Sequence, residues 1–279
     1  MNTPISARID SHQHFWRLDR GDYAWLTPEL APIYRDCLPE HLVPQIERNG
    51  VGATILVQAA ATVEETRFML ELAKEHPFIA GVVGWVDFES DDVEVTIAEL
   101  AADPKLVGLR PMIQDIPDPD WMLDTRLAPA FESMLDHGLV FDALVLPKHL
   151  AALLELTARY PELAMVLDHG AKPPIAAGSL ESWRQGIAAL ARATPMVCKV
   201  SGLVTEAGSA DPQVLAPVVD HLLENFGPKR MMWGSDWPVC ELVCSYDQWR
   251  EASDTLLARL GVAEREQILF ATARATYGI

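Results

Sequence analysis

The sequence predicts a single-domain (β/α)8 barrel of the TIM type, on three observations. Eight short apolar runs alternate with stretches of helical character. The eight units fit a chain of 279 residues, the size such barrels need. The first and last runs both end in groups that bind or transfer protons, as neighbouring strands of a closed barrel would present them at one mouth.

The apolar runs cover 5–12, 52–58, 78–85, 105–110, 139–145, 164–169, 196–201 and 231–236. Their near-continuous Val, Ile, Leu and Met content suits strands buried on both faces of a parallel sheet. Helix signals fill the intervals. Thr62-Val63-Glu64-Glu65 has capping-box spacing ahead of Met69, Leu70, Leu72 and Ala73. Asp91-Asp92-Val93-Glu94 opens the next helix, with Val95, Ile97, Ala98 and Leu100 following. The stretch 125–137 stops at Gly138, and 148–160 ends before Pro161. Stretches 179–193, 212–226 and 246–260 complete the series, with Gly227 and Gly261 where helix C-caps belong. An extra C-terminal helix is expected over 263–277.

An open doubly wound sheet is the runner-up. It would carry a glycine-rich loop after its first strand, where this chain has Ser11-His12-Gln13-His14. No linker or repeat divides the chain, so 1–279 reads as one domain. The longest irregular stretch, 15–38, holds Trp16, Tyr23, Trp25 and Tyr34, and in a barrel it hangs over the active-site face.

Composition narrows the function. A hydrophobic content of 49% supports a large core. With 22 basic and 40 acidic residues the formal charge is −18, which argues against nucleic acid and anionic membrane as partners. The first eight residues are polar, and no apolar run approaches the roughly 20 residues that span a bilayer, so a cytoplasmic protein is expected. Cys37, Cys198, Cys240 and Cys244 read as reduced thiols, because a lone C-x3-C spacing is a poor zinc signature. The expected partner is a small molecule, with the chain a monomer or a homodimer.

The carboxyl-terminal strand ends of a barrel carry its chemistry. Here they present His12 and His14, which share a side because they are two apart on a strand, then Gln58, Trp85 and Asp87, and Arg110. Asp142, His169 with Lys172 beyond it, Lys199 with Ser201, and finally Asp236 and Trp237 complete the ring. Polar groups ending all eight strands are hard to explain by packing. Capping or ion pairing remains open for Asp142, Ser201 and Lys199. No G-x-S-x-G elbow is present, so a hydrolase of that type has no support. His41, His76, His137, His149 and His221 lie in or at the ends of helices and receive no role.

These residues resemble the amidohydrolase superfamily, in its amidohydrolase-2 branch of sugar-lactone hydrolases. Asp10-Ser11-His12-Gln13-His14-Phe15-Trp16, Tyr23-Ala24-Trp25-Leu26 and Tyr34-Arg35-Asp36 resemble the opening of L-fuconolactonase and L-rhamnonolactonase-like proteins. Leu167-Asp168-His169-Gly170-Ala171-Lys172-Pro173 and Trp233-Gly234-Ser235-Asp236-Trp237-Pro238 fit the same group. The likeness runs over essentially the whole chain. It implies that His12, His14, His169 and Asp236 are positional matches to metal ligands. Arg110 stands where many members have a bridging lysine or glutamate, and Asp142 where many have histidine. The resemblance therefore implies at most one divalent ion, zinc by donor type and dispensable in related lactonases, with no organic cofactor.

Lactone hydrolysis needs an activated water, a stabilised oxyanion and a protonated leaving alkoxide. Asp236 is the candidate base and acid, Arg110 the candidate oxyanion donor, and His12, His14 and His169 either hold a metal or donate to the carbonyl. Trp25, Trp85 and Trp237 are candidates to cover the sugar face, while Gln58, Asp87, Lys172 and Lys199 read hydroxyls. A metal-dependent decarboxylase or amide hydrolase is the rival enzyme reading. A barrel that only binds sugar acids is the non-enzymatic one.

Overall fold

Strand and helix alternate around a closed ring in this computed structural model, which describes residues 8–279. The expected first strand began at Ile5, so its first three residues lie outside the described residues. The first half runs β1 (Arg8–Gln13), α1 (Pro39–Arg48), β2 (Val51–Val57), α2 (Val63–Glu75), β3 (Ile79–Gly84), α3 (Val93–Ala101), β4 (Leu106–Leu109) and α4 (Ala128–Asp136). The second half runs β5 (Val140–Ala143), α5 (Leu150–Arg159), β6 (Met165–Leu167), α6 (Glu181–Ala193), β7 (Val197–Val200), α7 (Leu203–Ala207), α8 (Pro212–Phe226) and β8 (Met231–Trp233). After α9 (Tyr246–Leu256) come α10 (Val262–Glu266) and α11 (Thr272–Tyr277). Consecutive strands pair in parallel in the order β1 to β8.

The seam between β1 and β8 is closed by polar groups as well as by the backbone. Gln13 bridges Trp237, His14 N–H donates to Trp237 O at 2.7 Å, and Asp236 N–H donates to His12 O at 2.8 Å. The buried Asp10 carboxylate accepts from Ser235 N–H at 2.7 Å and from the Tyr246 hydroxyl at 3.0 Å. Burial pushes this carboxyl up to about 6, against the pull of those bonds. The Asp10-Ser11-His12-Gln13-His14 motif thus builds the seam and the site together.

Two apolar compartments result. Ile9, Ile55, Val57, Val83, Val140, Val166 and Met232 fill the barrel, with Tyr277 and Ala273 of α11 closing its floor. Between sheet and helices lies the larger core, with Trp183, Phe131, Phe141, Ile187 and Leu222 among its fully buried members. Each such side chain contributes about 1.5–3 kcal/mol by leaving water.

The strands are shorter than the apolar runs, because the last one to three residues of most runs leave the ladder to form the mouth. One further expectation is corrected. Gly261 has φ −63° and caps the start of α10 rather than the end of α9, which stops at Leu256. The extra C-terminal helix is present as expected and contains a π-turn, Gln267–Ala271, between α10 and α11. All four cysteines are free and buried. Among the described residues no helix is long and apolar enough to cross a membrane.

Candidate active site

The mouth is built on strained backbone. His169, Ala171, Lys172 and Asp236 all hold positive φ, between 48° and 61°, a region that non-glycine residues rarely adopt. Two glycines make room. A Cβ on Gly234 would stand 2.7 Å from His12 Cβ, and one on Gly202 would stand 2.6 Å from His169 Nδ1. These positions admit no side chain without displacing a histidine.

Three imidazoles converge on one carboxylate oxygen. Asp236 Oδ1 lies 3.3 Å from His14 Nε2, 3.9 Å from His12 Nε2 and 4.0 Å from His169 Nε2. His14 Nδ1 donates to Val57 O at 2.7 Å, which turns Nε2 toward Asp236. His169 Nδ1 meets Ser201 Oγ at 2.9 Å. Burial pushes Asp236 up, but His169, His14 and His12 outweigh it and hold the carboxyl well below its usual range. Burial, opposed by Asp236, lowers His169 to about 4. Burial and then Lys199 push His12 well below its usual value, so both rings are neutral near pH 7.

Beneath this triad lies a charged layer that the sequence placed only in part. Lys199 Nζ contacts Asp142 Oδ2 at 2.5 Å, Asp168 Oδ1 at 3.1 Å and His12 Nδ1 at 3.2 Å. The Tyr277 hydroxyl donates to Asp142 from below, at 2.8 Å and 3.0 Å to its two oxygens. Arg110 Nη1 donates to Asp168 Oδ2 at 3.3 Å and sits 3.3 Å from His12 Nε2. Its Nη2 donates to the Gln58 backbone carbonyl and, at 3.3 Å, to Gln58 Oε1. Two cations thus face two carboxylates, which is how a barrel interior tolerates four buried charges. Burial raises Asp168, but Lys199, His12 and Arg110 reverse this and hold it well below its usual range.

A cavity of about 210 Å³ opens above Asp236, lined by His14, Trp25, Arg110, His169, Lys172 and Asp236 among others. Trp85 and Asp87 line a neighbouring cavity of about 380 Å³, which shares Met112 and Asp115 with the first. Gln58, Lys199 and Trp237 have no exposed surface. They stand behind the cavity wall. Gln58 brackets Arg110, Lys199 braces His12, and the Trp237 indole N–H donates to Glu241 at 2.7 Å. Asp168 joins the site without being among the strand-end candidates; its signal in the sequence is a two-residue step from Val166 along an inward-facing strand.

The donor set fits one divalent ion. His12, His14 and Asp236 offer ligand atoms within 4.8 Å of one another, as do His12, Asp168 and His169. Zinc bonds of about 2.0–2.2 Å place tetrahedral ligand atoms near the 3.3 Å found between His14 and Asp236. The Val57 carbonyl that fixes the His14 tautomer is the outer partner such ligands require.

Fold and site together define a barrel enzyme built for hydrolysis at a histidine–carboxylate centre. The chain belongs to the amidohydrolase family, which matches it over residues 9–279. It is 49% identical over 240 residues to an L-fucono-1,5-lactonase of Burkholderia ambifaria, covering 85% of this chain and 82% of that one. An L-fucono-1,5-lactonase of Burkholderia multivorans is 38% identical, with 98% and 96% covered. A crystal structure of an amidohydrolase from Burkholderia multivorans with bound zinc superposes with a TM-score of 0.90 at 38% identity, covering 98% of this chain and 99% of that one.

Proposed function

We propose that the chain is a sugar lactonase, hydrolysing L-fucono-1,5-lactone or a related aldonolactone to the sugar acid. The observation that carries this reading is the Asp236 oxygen facing three imidazole nitrogens at the base of a 210 Å³ cavity. Its relatives' activity gives the substrate class.

Asp236 takes a proton from water as that water attacks the lactone carbonyl, forming the new C–O bond. The tetrahedral oxyanion is met by His169 and the positive field of Arg110, with the fully buried His12 behind them. Collapse breaks the bond to the ring oxygen, and Asp236 returns the proton to that leaving alkoxide. Trp25 covers the apolar ring face and Lys172 donates to hydroxyls. Trp85 and Asp87 contact only a ligand that extends toward the second cavity. Gln58, Lys199 and Trp237 act from behind. His12, His14, His169 and Asp236 would hold one ion, and zinc bound there supplies Lewis-acid polarisation and a more acidic water. Every proton transfer above uses protein groups, which leaves the ion dispensable. A cytoplasmic monomer or homodimer that binds neither nucleic acid nor membrane completes the reading.

The test is a pH-indicator assay with L-fucono-, L-rhamnono- and L-galactono-lactones, using wild type and Asp236→Asn before and after chelation. Acid release that Asp236→Asn lowers by about 10²–10⁴ supports the reading. Silence across the panel overturns it and redirects the search to amides and carboxylated substrates. The chelated arm shows whether an ion is needed.

A further inference from the structure

Three consecutive residues at the end of β2 each hold a different part of the site. Val57 O accepts from His14 Nδ1 at 2.7 Å. Gln58 accepts from Arg110 Nη2 and returns a bond from its Nε2 to Arg110 O at 2.8 Å. Ala59 O accepts from the Trp25 indole N–H at 2.7 Å. Ladder bonding ends at Gln58, whose N–H donates to Val83 O at 2.9 Å. Beyond it the buried N–H groups of Ala59 and Ala60 donate to one side chain, the carboxylate of Glu65, at 2.7–3.1 Å.

From this geometry we infer that Glu65 is a positioning residue: it clamps the free end of the 57–60 strip and so fixes His14, Arg110 and Trp25 at once. Glu65 is fully buried on the first turn of α2, where capping-box spacing would send it to the Thr62 N–H. Thr62 Oγ1 does accept from Glu65 N–H at 3.2 Å, but the carboxylate turns to the strip instead. The aromatic loop packs against the same place. Tyr23 and Asp22 face Glu65, and Asp22 accepts from Arg20 at 2.6 Å and from Thr62 at 2.9 Å. Ala60 N–H meets Oε2 and Ala59 N–H is shared between both oxygens, so a glutamine in this place would set its NH2 group against the Ala59 N–H.

The kinetic part rests on the lactonase reading; the exchange part does not. Glu65→Gln, which keeps the shape but offers one acceptor oxygen, is expected to lower kcat about tenfold and raise KM several-fold. Trp25→Phe is expected to raise KM alone. In the double variant KM should rise no further than in the worse single variant, because both changes act through the same contact. Independent, multiplying effects on KM, or kinetic constants unchanged per folded molecule, overturn the inference. Hydrogen exchange by NMR reads the same clamp without turnover. Protection of the Ala59 and Ala60 amides and the Trp25 indole should be present in wild type and lost in Glu65→Gln, with the barrel ladder unchanged. Should Glu65→Gln fail to fold, Glu65→Asp carries the test, since its shorter arm reaches one amide only. Retained protection at all three N–H groups in a folded variant sinks the proposal. A wild type that turns over no lactone but shows the exchange pattern removes the function and leaves the clamp.

Discussion

His169 and Asp236 hold positive φ without being glycine, at a cost of about 1–3 kcal/mol each. The surroundings sustain that cost because each residue is tied on both sides, Asp236 through its N–H to His12 O and His169 through Nδ1 to Ser201. Gly202 is the residue on which this arrangement turns. At φ +67°, with a prospective Cβ 2.6 Å from His169 Nδ1, it has no room for a methyl. Gly202→Ala is expected to lose about 1–2 kcal/mol of stability from the left-handed backbone, and kcat at least tenfold from the displaced imidazole. Urea unfolding and steady-state kinetics on the same preparation separate the two effects. A variant that folds and turns over normally would show that His169 does not need its present place. Asp236→Asn, by contrast, keeps shape but removes a charge that the histidines stabilise, so it should lower both kcat and the unfolding midpoint.

At the scale of elements, the charged layer inside the barrel shows how far the sequence could be read. Alternation along β7 put Lys199 and Ser201 on one face, and both do point inward, toward His12 and His169. What alternation does not give is depth, so the sequence suggested a hydroxyl reader where a fully buried brace stands. The extra C-terminal helix was legible as a helix, but its purpose was not. Tyr277 meets Asp142 across 135 positions of chain, a distance no local pattern reports. Glu65 was visible as a capping residue, and only the fold reveals that it turns away from its own helix. Tyr277→Phe tests the brace from below. Loss of a hydrogen bond to a charged group should cost about 1.5–3 kcal/mol, with kcat within about threefold of wild type because Lys199 retains both carboxylates. Lys199→Met leaves two buried carboxylates facing each other and should cost more, about 3–5 kcal/mol. Denaturation midpoints of the two variants order these effects.

Across the whole molecule, buried ionisable groups pull stability in opposite directions as pH changes. Burial raises Glu65 to about 7 and Asp10 and Asp142 to about 6. The folded state therefore holds their protons longer than the unfolded chain does. Their contribution is full at low pH and is lost as pH rises through those values. His12 and His169 run the other way. Burial lowers them, His169 to about 4, so the unfolded chain takes up protons that the folded one refuses. Their contribution is present above the ordinary histidine range and is lost as pH falls. Over pH 5.5–8 three carboxyls lose while two histidines gain, and only a shallow net change in stability is expected. Below pH 5 the balance fails, because the histidines continue to lose and Asp236 and Asp168, both held low, join them. Glu65→Gln exposes the compensation. With its falling contribution removed, the stability of the variant relative to wild type should rise by about 2 kcal/mol between pH 5.5 and pH 8. Urea unfolding at intervals across that range measures the difference directly. Parallel curves for the two proteins would mean that Glu65 ionises as it does in water, and that its clamp on Ala59 and Ala60 is made by a carboxylate at every pH in that range.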